Sequence, residues 1–207
     1  SVIGERIGAS GSDNIINAIP SMQFVVIIFF VGAFVLRFAF PSFSQEGRAS
    51  WVLGSSPIDL RQVFFQKLKL HLFLSFAIGG LASVMFFIRS SDILAGLELA
   101  AFSGIFQWFI FLPTVLLVSI TTAVIGLSLG IVFVNFKIED PQLMSTSLPG
   151  MFLVFTFLIL GFLGAVSIYQ VILGSYFYLI LLYLLSCMFS LLSVVYALKA
   201  LKKIEFV

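Results

Sequence analysis

Charged residues divide the chain into four long uncharged intervals, 14–36, 70–88, 99–136 and 141–198. A helix that crosses a hydrocarbon layer of about 30 Å needs about 20 mostly apolar residues, so these intervals are membrane-crossing candidates. The first holds one span from near Pro20, which suits the opening turn of a helix because proline lacks the N–H that would be unpaired there. The second holds one span. The third carries Gly104, Pro113, Gly126 and Gly130 and reads as one long kinked helix, with a re-entrant piece followed by a span as the alternative. The fourth has room for two spans, with a break over 169–176 around the Gly174-Ser175 pair. The predicted fold class is therefore an all-α integral membrane protein of five transmembrane helices, near 20–37, 69–88, 99–134, 149–169 and 176–198.

Five spans alternate the sides of the connecting segments, and the positive-inside rule then assigns them. One side collects Arg37, Arg48, Arg61, Lys67, Lys69, Lys137, Lys199, Lys202 and Lys203, while the other holds only Arg6 and Arg89. This bias puts the N-terminus outside and the C-terminus in the cytoplasm of a multi-pass membrane protein. The chain starts at Ser1, and its first polar stretch lacks the pattern of a signal peptide, so a C-terminal piece of a longer protein is expected. Within 1–207 no repeat or linker divides the chain, which reads as a single helical membrane domain.

Composition agrees. The chain is 61% hydrophobic and 10% charged, with 26 Phe and a mean hydropathy of +1.20; soluble domains carry about 25% charged residues. A net charge of +2, spread along the chain, gives no sign of nucleic-acid binding. The single cysteine, Cys187, sits in an apolar run and is expected to be buried and inert.

The spans lack the groups that most chemistry needs. Every acid lies outside them: Glu5, Asp13, Glu46, Asp59, Asp92, Glu98, Glu139, Asp140 and Glu205. Ion-coupled carriers keep such residues inside their helices, so a secondary transporter is the weaker alternative. His71 lies near the start of the second span and is expected to snorkel towards headgroups. Gly126-Leu127-Ser128-Leu129-Gly130 matches Gly-x-Ser-x-Gly only formally, because it lies inside an apolar helix with no accompanying His or acid; helix packing explains it. The same reading covers Gly150, Gly161 and Gly164. No metal or cofactor site is expected, no catalytic residue is assigned, and no phosphate-binding loop of the form Gly-x-x-x-x-Gly-Lys-Ser/Thr occurs.

The cytoplasmic segment 38–68 is different, with charges interleaved among Phe, Trp and Leu. Ser56-Pro57-Ile58-Asp59 is a helix-start signature, with Ser56 as cap, Pro57 in the first position and Asp59 favouring the positive end of the helix dipole. Leu60, Val63, Phe64 and Leu68 then recur at helical spacing opposite Arg61, Gln62 and Gln66, as in an interfacial amphipathic helix. Glu46-Gly47-Arg48 leads into a turn anchored by Trp51. By physics alone, lipid anchoring explains this segment as well as any function does.

The run Phe40-Pro41-Ser42-Phe43-Ser44-Gln45-Glu46-Gly47-Arg48, then Trp51-Val52-Leu53, Ser55-Ser56-Pro57-Ile58 and Lys67-Leu68, resembles a signature of bacterial ABC-2-type transporter permeases of the ABC exporter group. The loop Asn135-Phe136-Lys137-Ile138-Glu139-Asp140-Pro141 resembles a second motif of that group, departing from it with Asp140 in place of Asn and Val134 in place of Pro. The resemblance implies a permease subunit that forms the translocation path of an exporter and is not itself an enzyme. ATP and Mg would sit on a partner ATPase at the cytoplasmic side, and a second permease copy is a further possible partner. It also implies ATPase-coupling residues: Glu46, Arg48, Arg61 and Lys67 for polar contacts, Trp51 and Pro57 for geometry, with Gly47, Ser56, Glu139, Asp140 and Pro141 beside them. A non-transporting scaffold is the remaining alternative.

Overall fold

The computed structural model describes residues 2–49, 59–94, 100–134 and 146–204, with side chains described over 18–46, 59–86, 88, 109–134 and 146–202. The described residues form helices α1 (Val2–Phe34), α2 (Leu60–Leu94), α3 (Ala100–Val132), α4 (Leu148–Ile172) and α5 (Phe177–Ile204), with short turns of other helix types after α1 and no strand. Five stretches are long and apolar enough to cross a membrane: Ala18–Ser42, Leu60–Phe86, Phe109–Val132, Leu148–Ile172 and Phe177–Lys202.

α3 is the centre of the bundle. Its most apolar stretch is 72% buried, against 11% for α5. Residue contacts give the directions of the helices. Phe24, Ile28 and Gly32 of α1 face Gly164, Gly161 and Phe157 of α4, so these two run antiparallel. Phe24 meets the Phe111 ring edge-on at 6.1 Å, and Val35 meets Gly126, so α1 and α3 run parallel. Thr114 and Tyr183 share a hydrogen bond of 3.0 Å while Leu127 and Ile131 pack near Ala197 and Leu201, so α3 and α5 are parallel as well. Gly79 faces Val115 and Ser119 while Phe64 and Leu68 join the Ile131 cluster, which makes α2 antiparallel to α3. The alternation expected of successive spans is therefore present: Arg37, Arg61, Lys67, Lys69, Lys199 and Lys202 fall towards one end, and Arg6 in α1 and Arg89 in α2 towards the other.

Glycines set the closest approaches. A Cβ at Gly164 would run into the Phe24 ring, one at Gly126 into Val35, and one at Gly32 would lie 2.6 Å from Phe157. Small residues at helix crossings allow such contact, and apolar side chains then fill the gaps. Gly126 and Gly130 are thus packing residues, as expected of that formal motif. Truncating a fully buried ring such as Phe24 costs about 3–5 kcal/mol.

Some expectations change and others hold. Pro20 lies inside α1 rather than at its start, because the helix already runs from Val2 and continues through the proline. Over the described residues of the third apolar interval, Ala100–Val132 is one continuous helix with Pro113 inside it, the expected single helix rather than the re-entrant alternative. The break between α4 and α5 is where Gly174-Ser175 puts it: Gly174 has φ +88, the Ser175 N–H bonds the Gln170 carbonyl at 2.8 Å, and the Gly174 N–H bonds Val171 at 2.9 Å. That is a Schellman ending, which needs the left-handed conformation glycine adopts most readily. Cys187 is exposed on α5, since a nearly unburied helix has apolar residues all round and hydropathy does not tell its faces apart. His71 is buried, because it shares the inward face of α2 with Phe64 and Leu68.

Candidate coupling site

The segment that leaves α1 turns inward. Pro41 has no N–H and would clash with the carbonyl one turn before it in a regular helix. The backbone first widens into a π-turn over Val35–Ala39, with the Phe40 N–H bonding the Val35 carbonyl, then tightens into a 3-10 turn over Phe40–Ser42. π-Turns inside helices recur at functional sites. This one buries Phe40, Pro41, Ser42, Phe43 and Ser44. The Phe40 carbonyl lies where a Cβ of residue 130 would be, so only glycine on α3 leaves room for it.

Lys67 holds the next stretch. Its ammonium donates to the Ser42 carbonyl at 2.6 Å, pairs with Glu46 Oε1 at 2.5 Å, and lies 4.4 Å from the centre of the Phe43 ring. The two charged side chains are only 20% and 24% exposed. The Glu46 N–H closes the turn on the Phe43 carbonyl at 3.3 Å. A single cation on α2 thus fixes three successive features of the chain that leaves α1: a carbonyl, a ring and a carboxylate. Each contact is of a charge-assisted kind, stronger than its neutral equivalent.

α2 begins differently from the expectation of a helix opening at Pro57. It starts at Leu60, and Asp59 is its cap, with Oδ1 accepting the Arg61 N–H at 2.9 Å and its carbonyl accepting the Gln62 N–H at 2.8 Å. Leu60, Val63, Phe64 and Leu68 face the bundle and Arg61, Gln62 and Gln66 are exposed, as the spacing predicts. The expected interfacial helix is not separate, however: these residues are the opening turns of α2, continuous with its apolar stretch. The α-helical bond ladder is unbroken, and nothing there makes the chain bend into an interface plane.

Of the sequence-predicted site residues, Glu46 and Lys67 come together, but on each other rather than pointing outward for a partner. Arg61 is exposed in the first turn of α2, six residues before Lys67. Gly47 and Arg48 lie in the 3-10 turn Ser44–Ala49, with side chains outside the described residues. Trp51, Ser56, Pro57, Glu139, Asp140 and Pro141 also lie outside the described residues. Sequence reasoning missed Ser42, Phe43 and Gly130 as parts of this site. Pro41 was the available signal, since a proline one turn after the end of an apolar span forces a local change of backbone.

A family model described as "Putative ATP-binding cassette" matches residues 10–206. The chain belongs to this ATP-binding cassette family. No curated protein and no solved structure matches it. Membership associates the chain with ATP-binding cassette transport, and the matched residues take in all five apolar helices together with the Lys67 anchor.

Proposed function

We propose that this chain is a transmembrane permease subunit of an ABC-2-type exporter, embedded in the bacterial inner membrane and working with an ATPase on another polypeptide. The observation that carries the reading is the overlay of the family match on the helices: residues 10–206 span five apolar helices long enough to cross a bilayer. The sequence has no Gly-x-x-x-x-Gly-Lys-Ser/Thr loop, so nucleotide chemistry falls to residues outside it. Large apolar side chains on the outer faces, Phe73, Leu81, Met85 and Phe162 among them, match lipid as a surrounding medium. The charge bias makes the basic end cytoplasmic, with the C-terminus inside.

Coupling requires a cytoplasmic element joined stiffly enough to the spans that ATP-driven motion becomes helix movement. The Lys67-anchored turn supplies the stiff joint between α1 and α2. The residues after it, with Arg48 and Trp51, are the docking surface. In the chain reconstituted with its ATPase, Arg48→Ala and Trp51→Ala are expected to lose most of the permease-dependent stimulation of ATP hydrolysis while still assembling in the membrane. Stimulation and transport unchanged in both variants would sink the coupling role.

A further inference from the structure

Beside Leu72, Ile78, Ala82 and Phe86, which continue the apolar core, α2 carries a line of polar and small residues. Past Phe64 and Leu68 the buried positions are His71, Ser75, Gly79 and Ser83, which lie four residues apart in register with Lys67. Four-residue spacing stacks side chains along one face of a helix. This stripe faces α3 at Ser119, whose Oγ lies 2.8 Å from where a Gly79 Cβ would be. The core divides at the same level into two apolar clusters that share Leu72 of α2.

Buried hydroxyls without a partner also occur singly at Ser21, Ser42, Ser128 and Ser186; on the seam two of them, with the His71 ring, lie along one helix–helix contact, where Ser83 is bonded to the Gly79 carbonyl. Ser83, Thr114, Thr121, Thr122 and Ser167 each return a bond to a carbonyl one turn back, at 2.7–2.9 Å. Ser75 Oγ, Ser119 Oγ and His71 Nδ1 are buried with no such partner among the described residues, and the residues are 0%, 0% and 6% exposed. A buried polar group without a partner is unfavourable, and most of all inside a helix bundle in hydrocarbon. Such groups become satisfied if α2 and α3 part and water or a polar ligand enters between them. No carboxylate lies on the described seam beyond Glu46, which Lys67 pairs at its end.

We propose that the α2–α3 seam, lined by His71, Ser75, Ser119 and Ser83 and ending at Lys67, is the hydrated path along which a neutral or anionic, hydrogen-bonding part of the transported molecule crosses. The proposal rests on the permease reading. The seam is closed in this structure, and its unsatisfied hydroxyls lower the cost of opening it.

The test uses membrane vesicles containing the full chain with its ATPase, in a Cys187→Ala background that removes the single thiol of residues 1–207, with labelling read on this chain. Single Ser75→Cys, Ser119→Cys, Leu81→Cys and Met85→Cys variants are treated with two water-soluble methanethiosulfonates, one carrying a sulfonate and one a quaternary ammonium, in nucleotide-free and ATP-trapped states. Residues 75 and 119 are expected to react in at least one state, while outer-face residues 81 and 85 stay silent in both. Normalised to a free thiol, the sulfonate is expected to be favoured over the ammonium at residue 75 by about 3-fold, as the opposite effects of the Lys67 charge on the two reagents give at about 12 Å along the helix in a water-like medium. Silence at 75 and 119 in both states, equal reaction at 81 and 85, or preference for the ammonium reagent overturns the proposal. A Ser75→Ala/Ser119→Ala variant should keep or raise the thermal midpoint; a fall means that the hydroxyls hold the fold, and also overturns it. Reaction at the seam without ATPase recruitment removes the permease reading and leaves the hydrated seam, whereas recruitment with a silent seam does the reverse.

Discussion

Replacing Lys67 with Met keeps most of the side-chain volume and removes the charge that joins the end of α1 to α2. The loss comprises a charged hydrogen bond to the Ser42 carbonyl, worth about 1.5–3 kcal/mol, and a contact with the Phe43 ring, worth roughly 0.5–1 kcal/mol. The Glu46 pair also goes, which leaves a carboxylate only 24% exposed without its cation; this adds a cost of about 1–3 kcal/mol. Rotamer freedom regained when a lysine is released offsets about 1.5–2 kcal/mol. The net is about 1–5.5 kcal/mol, centred near 3, and every 1.4 kcal/mol is tenfold in an equilibrium. Opening of the turn should therefore become about 100 times more frequent, and at least about 5 times. Hydrogen exchange of the chain in lipid nanodiscs measures this at peptides covering 43–46, where the Glu46 amide is bonded to Phe43. Exchange there is expected to accelerate by that factor while α4 is unchanged. In Glu46→Gln/Lys67→Met the acceleration should fall well short of the product of the single effects, because the orphaned carboxylate is gone. Acceleration below about 3-fold, or an equal change throughout the bundle, refutes the reasoning.

Gly130→Ala drives a methyl into the Phe40 carbonyl, and overpacking of this kind costs about 1–3 kcal/mol. A lowered thermal midpoint in detergent is expected, with Gly80→Ala as a control because the nearest atom there is 3.9 Å away. Gly174→Ala meets no neighbour but must hold φ +88, so a loss of about 1–2 kcal/mol should appear in the same assay from backbone strain alone. Asp59→Ala removes the cap of α2 and should cost about 1 kcal/mol, seen as faster hydrogen exchange at Arg61 and Gln62 and nowhere beyond the first turns.

The spans were legible because a charge is costly in hydrocarbon and charges are therefore confined to the ends. The Gly174-Ser175 break was legible because a left-handed helix ending favours glycine. Hydropathy carries no information on which way a face points, and that is where expectation and structure part. His71 was assigned to the interface on its polarity, although it lies one turn beyond Lys67 and three residues beyond Leu68, on the face that Phe64 had already placed inward. Cys187 was assigned to the interior on its apolar neighbours, although α5 exposes most of its surface. Glu46 and Lys67 were both singled out as polar contacts for a partner. Their pairing was hidden because it spans 21 residues of sequence and depends on the Pro41 turn, which no local pattern positions.

The central claim is that an ATPase docks at the basic end of the bundle. Photocrosslinkers at Arg61, beside the anchored turn, and at Ser175, in the α4–α5 turn at the opposite end, test it directly in membranes that contain the chain and its ATPase. The account predicts an ATP-hydrolysing protein crosslinked from position 61 and none from position 175. Crosslinking from 175 instead, or nucleotide photolabelling of the 207-residue chain itself with no partner recovered, would contradict it.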